Sequence, residues 1–133
     1  MNQALISRRA LVASAAALAV LPLSAKTAYP NKPIRLIVPF APGGSVDMVG
    51  RIVAEILNKQ LGATVVVENI AGAAGVVGAQ RVVSSKPDGY TLMAGSSNEM
   101  AGTKFVNAAQ KYDPAIDLTP IGLAAIAPNI WVA

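Results

Sequence analysis

A strand-to-helix unit that occurs twice in succession narrows the fold more than any other feature of this chain. Ile34-Arg35-Leu36-Ile37-Val38 is a short apolar run ended by Pro39, the pattern of a buried strand. The chain then turns through Pro39-Phe40-Ala41-Pro42-Gly43-Gly44, with Ser45 placed as a helix N-cap and Asp47 in the first turn. Apolar residues recur at Val49, Ile52, Val53, Ile56, Leu57 and Leu61, a helical stripe that Gly62 is positioned to end. Thr64-Val65-Val66-Val67-Glu68 opens the second unit, and residues 69–75 lead into a second helix. That helix carries Val76, Val77, Gln80, Val83 and Ser84, which leave its packing face open.

Pro87-Asp88-Gly89 is a turn and Tyr90-Thr91-Leu92-Met93 a third strand. Small polar residues at Gly95-Ser96-Ser97-Asn98 precede a short helix expected over residues 101–109. Pro114 and Asp117 mark another turn, residues 121–126 are expected to form a fourth strand, and Trp131 belongs either to the core or to a hinge. Alternation of this kind predicts an α/β fold, a parallel-type sheet with flanking helices. Ligands of such sheets bind beyond the carboxyl ends of the strands. Residues 39–47, 69–75 and 95–98 should therefore face one place.

Residues 1–25 must be set apart before composition is weighed. Arg8 and Arg9, an apolar run over residues 10–20, Pro22, and the small residues Ser24 and Ala25 describe an export signal, cut ahead of Lys26. The Ser7-Arg8-Arg9-Ala10-Leu11 start suits twin-arginine export and ordinary Sec export equally well. The whole chain of 133 residues carries 11 Lys+Arg against 7 Asp+Glu. Without the first 25 residues and their two arginines, 108 residues remain with nine basic and seven acidic side chains. Those cations are scattered with no interleaved aromatic platform, so nucleic acid is not an expected partner. With no His and no Cys there is no Ser-His-Asp triad, thiol nucleophile, disulfide, or thiolate or imidazole metal site. No catalytic residue, metal ligand or cofactor is assigned, and no nucleophile-base pair points to an enzyme.

Each of the three loops hands over to a helix and so offers unpaired backbone N–H groups and the positive end of a helix dipole. An anion is the natural guest. Gly43 and Gly44 let a ligand oxygen approach the main chain, while Ser45, Ser96, Ser97 and Asn98 add short hydrogen-bonding side chains. Nucleotide binding fits poorly: Pro42-Gly43-Gly44-Ser45 lacks the Gly-Lys-Ser/Thr ending of a P-loop, and Gly72-Ala73-Ala74-Gly75-Val76-Val77-Gly78 lacks the dinucleotide spacing. The same glycines could instead serve only turns and close packing. Asp47 is either a first-turn acid favoured by the dipole or a carboxylate that orients the loop, a water or a ligand ammonium group. Phe40 is a packing side chain at the strand exit or an apolar pocket wall.

Four motifs follow one another along the chain: Tyr29-Pro30-Asn31-Lys32-Pro33-Ile34-Arg35, Val38-Pro39-Phe40-Ala41-Pro42-Gly43-Gly44-Ser45-Val46-Asp47, Val66-Val67-Glu68-Asn69 with its Gly-Ala-Ala-Gly loop, and Pro87-Asp88-Gly89-Tyr90-Thr91-Leu92. Taken in this order they resemble the Bug family, the periplasmic solute-binding receptors of tripartite tricarboxylate transporters. The resemblance implies a two-lobed receptor that closes over a small organic carboxylate and presents it to membrane subunits of the transporter. It places Phe40, Gly43, Gly44, Ser45, Asp47, Gly72, Ala73, Gly75, Ser96, Ser97 and Asn98 along the first lobe's half of the cleft. Residues 26–133 then correspond to an incomplete N-terminal lobe, truncated and without the second lobe. A truncated lobe that no longer binds, or a structural or interaction domain, is the alternative. Asn98-Glu99-Met100 departs from the small residues common in the family, as do Ala41 and Ile70-Ala71 from the usual Pro and Arg-Pro. Glu99 near the pocket would disfavour a second ligand carboxylate unless it is paired or screened.

Overall fold

The computed structural model describes residues 28–108 and 110–126, so the export-signal expectation for residues 1–25 and the position of Trp131 lie outside the described residues. In chain order the elements are β1 (Ile34–Val38), α1 (Ser45–Leu61), β2 (Val65–Asn69), a 3-10 turn (Ala73–Gly75), α2 (Val76–Val83), β3 (Thr91–Met93), a π-helical turn (Asn98–Gly102), α3 (Thr103–Val106) and α4 (Pro114–Asp117). The strands form one parallel sheet in the order β2-β1-β3, with Leu36 beside Val67 on one side and Leu92 on the other. The chain steps from β1 to one edge and then crosses back over β1 to the other edge. Crossovers of one hand running in opposite directions put α1 and α2 on opposite faces.

The two-residue period of β1 divides the core accordingly. Ile34 and Leu36 pack with Ala54 and Val65, backed by Val53, Leu57, Val67 and Leu92. On the other face Val76, Ala79 and Tyr112 are buried with Val83, Met93 and Leu118 around them. Arg35 points to that second face and makes a two-pronged ion pair with Glu68 at 2.6 Å. The paired guanidinium lowers the Glu68 pKa from its usual value.

Helix α1 has the expected bounds, and Gly62 ends it in a left-handed conformation with its N–H on Asn58 O at 3.1 Å. Two expectations for it are corrected. The N-cap is Gly44 rather than Ser45, which is the first helical residue, and no side chain caps the start. Asp47 instead reaches back to the Gly43 N–H at 2.9 Å, much as the acid of a capping box does. Nor does the whole apolar stripe face the sheet: Val53 and Leu57 pack there, while Ile52 and Ile56 stay half exposed. The helix approaches through Gly50 and Ala54, because a Cβ at Gly50 would stand only 2.9 Å from the Val38 methyl.

Strands β2 and β3 each begin one residue later than their apolar runs suggested. Asn58 Oδ1 accepts the Val65 N–H at 2.6 Å and sets the entry to β2. The helix expected over residues 101–109 starts earlier, as the π-helical turn, and stops at Val106. The fourth strand expected over residues 121–126 does not form: these residues belong to no strand or helix and pair with none. Ile121, Leu123 and Ile126 are each at least 80% exposed. A strand with that apolar content needs both a pairing edge and a cover, and no described element supplies a cover there.

Candidate functional site

The exit of β1 is organised by Asp47, which is only 3% exposed. Its Oδ2 accepts the Gly43 N–H at 2.9 Å and Arg51 Nε–H at 3.0 Å, and its Oδ1 accepts Asn69 Nδ2–H at 2.8 Å. The Arg51 hydrogen bond, then the Gly43 and Asn69 bonds, lower the Asp47 pKa to about 2. Asn69 also donates to Phe40 O at 3.1 Å, while Arg51 reaches Asn69 Oδ1 at 3.2 Å. Asp47 therefore clamps the first loop to the end of β2. Both of its oxygens are engaged within the protein, which matches the loop-orienting alternative and leaves no bare oxygen for a ligand ammonium. The first i→i−4 bond of α1 runs from Met48 N–H to Gly44 O at 3.0 Å. The N–H groups of Ser45, Val46 and Asp47 thus precede any helical acceptor and point out of the helix start.

The second loop takes an uncommon path, with positive φ at Gly72 (145°), Ala73 (46°), Ala74 (54°) and Gly75 (94°) in succession. Two alanines in the left-handed region carry strain of about 1 kcal/mol or more each. The loop closes on itself through Gly75 N–H to Gly72 O at 3.0 Å. It is pinned to the first loop at Gly78, where a Cβ would fall 2.7 Å from both Pro39 and Ile70 backbone atoms.

Glu99 governs the third loop. Its carboxyl group, with the residue 0% exposed, accepts the Ser96 N–H and, at 2.7 Å, the Ser96 hydroxyl. Ser96 Oγ in turn accepts the Asn98 N–H at 3.3 Å. Gly75 of the second loop lies against Glu99, because a Cβ there would stand 3.0 Å from Glu99 Oε2. Tyr112 donates its buried hydroxyl to Glu99 O at 2.9 Å, and burial, then the Glu99 charge, pushes the tyrosine pKa up.

All three loops meet at the carboxyl ends of the strands, as their positions in the alternating pattern predict. Gly44, Ser45, Ala73, Ser97 and Asn98 stand exposed on that surface, and Phe40, Gly72 and Ser96 are half-buried. Gly43, Ser96, Asp47 and Gly75 are drawn into holding the loops together. Sequence reading missed Arg51 and Asn69, although Arg51 stands four residues after Asp47 on the same helix face. Two open depressions lie away from these loop tips. One, of about 440 Å³, is lined by Ile70, Val77, Gln80, Arg81 and Ser84. The other, of about 400 Å³, sits at the amino ends of the strands and includes Lys32, Arg35, Arg81 and Lys86. No group of acidic, His or Cys side chains suited to a metal ion occurs among the described residues. No described helix is long and apolar enough to cross a membrane.

The family model described as the tripartite tricarboxylate transporter family receptor, TctC, matches residues 49–133. The chain belongs to this family. Protein BugT of Bordetella pertussis is 42% identical over 112 residues, covering 84% of this chain and 34% of BugT. Among solved structures, MatC from Rhodopseudomonas palustris with bound malate superposes with a TM-score of 0.69 at 34% identity, covering 72% of this chain and 33% of MatC. An R. palustris protein with adipate gives a TM-score of 0.64 at 34% identity, covering 66% of this chain and 29% of its own. The chain therefore spans about a third of the length of the receptors it matches.

Proposed function

We propose that this TctC-family chain is the N-terminal lobe, residues 26–133, of a non-enzymatic periplasmic receptor, with residues 1–25 as its export signal. It captures a small organic carboxylate through backbone amides and delivers it to the membrane subunits of a tripartite tricarboxylate transporter. What supports this reading is the meeting of three loops beyond the carboxyl ends of a parallel sheet, with the Ser45, Val46 and Asp47 N–H groups free of helical acceptors. The malate and adipate held by the two related structures are small carboxylates of the class such donors suit.

Neutral donors fit a carboxylate without a cationic partner. The nearest guanidinium, Arg51, is engaged by Asp47 and Asn69. Hydrogen bonds from a few amides at an open surface give dissociation constants on the order of 1 mM. The second lobe that the family resemblance implies would exclude water and strengthen the same bonds.

A thermal-shift screen of the chain without residues 1–25 tests the proposal. A carboxylate at ten times its dissociation constant should stabilise by about 1.4 kcal/mol, a rise of roughly 7 °C for a domain of this size. Stabilisation by a nucleotide with magnesium and by no carboxylate would overturn it.

A further inference from the structure

Glu99 is the one side chain in the candidate cleft whose charge and hydrogen bonds bear on which carboxylates fit. It is fully buried between the second and third loops, against Gly75 and Gly95. Both of its oxygens are bound to Ser96, one by the N–H and one by the hydroxyl. With its hydroxyl hydrogen on Glu99, Ser96 has no donor left for a ligand. None of the ion pairs among the described residues includes Glu99. Asp47, the other acid of these loops, has its charge matched by Arg51 at 3.0 Å. The loop cluster thus holds one acidic side chain with no cation paired to it.

We propose that Glu99 determines ligand specificity by withdrawing Ser96 from carboxylate binding and placing an unmatched negative charge beside the third loop. The site then takes acids with a single carboxylate, seated on the α1 amides, and an uncharged polar far end. Exposed Ser97 and Asn98 are left to contact that far end. A second carboxylate would meet the Glu99 charge with no cation to offset it. The glycines at 75 and 95 belong to the same arrangement, since a side chain at either position would press on Glu99 rather than on a ligand.

This inference rests on the carboxylate-receptor reading, and the test separates the two. Equilibrium titration compares glutarate with its monoamide, glutaramate, which differ by one charge at equal length, in the wild-type chain and in Glu99→Gln. The wild type should bind glutaramate about tenfold more tightly than glutarate, and Glu99→Gln should bring the two within about twofold. A purely structural role for Glu99 would weaken both ligands together and leave their ratio unchanged, which overturns the inference. Equal or tighter binding of glutarate by the wild type overturns it without any variant, so the test stands even where Glu99→Gln fails to fold. If neither ligand binds the wild type, the carboxylate-receptor reading itself fails and takes this inference with it.

Discussion

Asp47 is the residue on which the shape of the first loop depends. Its carboxylate gathers the Gly43 N–H, Arg51 and Asn69, so three elements lose a shared acceptor if it is removed. Asp47→Ala is expected to lower the melting temperature by roughly 5 °C, measured by circular dichroism at neutral pH. The sign of its pH dependence follows from a folded pKa of about 2 against an ordinary value of 3.8. Its stabilisation is complete above the ordinary value and is lost as pH falls from there through about 2. The gap in melting temperature between the wild type and Asp47→Asn should therefore shrink across that window. A gap that is constant down to the lower limit would contradict the clamp. Ala74 offers a test of opposite sign. At φ 54° it should gain about 0.5 kcal/mol on replacement by glycine, which meets no penalty in the left-handed region. Ala79→Gly, inside α2 and buried, should lose about 1 kcal/mol or more, both variants being measured by urea titration.

At the scale of elements, the contact between α2 and the two loops above it depends on a missing side chain. Gly78→Ala places a methyl 2.7 Å from Pro39 and Ile70 backbone atoms, which cannot rotate away. A loss of about 3 kcal/mol is expected, and a loss below about 0.5 kcal/mol would show that the loops are less tightly seated than described. This contact also shows where sequence reading stopped. The bounds of α1 were legible because Gly62 and the apolar spacing act locally, and the strand-loop-helix order placed all three loops correctly. The roles of Gly50, Gly75 and Gly78 were not legible, since each is defined by a partner distant in sequence: Val38, Glu99, Pro39. The packing face of α1 was legible only in part for the same reason: Val53 and Leu57 pack as their spacing predicts, but close approach favoured Gly50 and Ala54 over the larger Ile52 and Ile56. The expected strand over residues 121–126 has strand-like composition, but composition does not supply the neighbour that a strand requires.

Over the whole molecule, the two ends of the sheet differ in character. The carboxyl ends carry the loops with neutral donors, whereas the amino ends carry the depression with Lys32, Arg35, Arg81 and Lys86. There the leader is fastened by Lys32 to Asp88 at 2.9 Å and by the Tyr29 hydroxyl to Gly89 O at 2.8 Å. Beyond the core, Phe105, Val106, Ile116, Ile121, Leu123 and Ile126 are all at least 80% exposed. So many apolar side chains in contact with water favour association. Ile121→Ser with Leu123→Ser should reduce self-association in sedimentation experiments while shifting the melting temperature by less than about 2 °C. A larger shift would mean that these residues are packed in solution. The central claim, that one carboxylate sits on main-chain donors where the three loops meet, is tested most directly by amide-resolved NMR during a carboxylate titration. The account predicts the largest shifts at Ser45, Val46 and Asp47, with smaller ones at Gly72–Gly75 and at Ser97 and Asn98. Shifts concentrated instead around Lys32, Arg81 and Lys86, at the opposite end of the sheet, would contradict it.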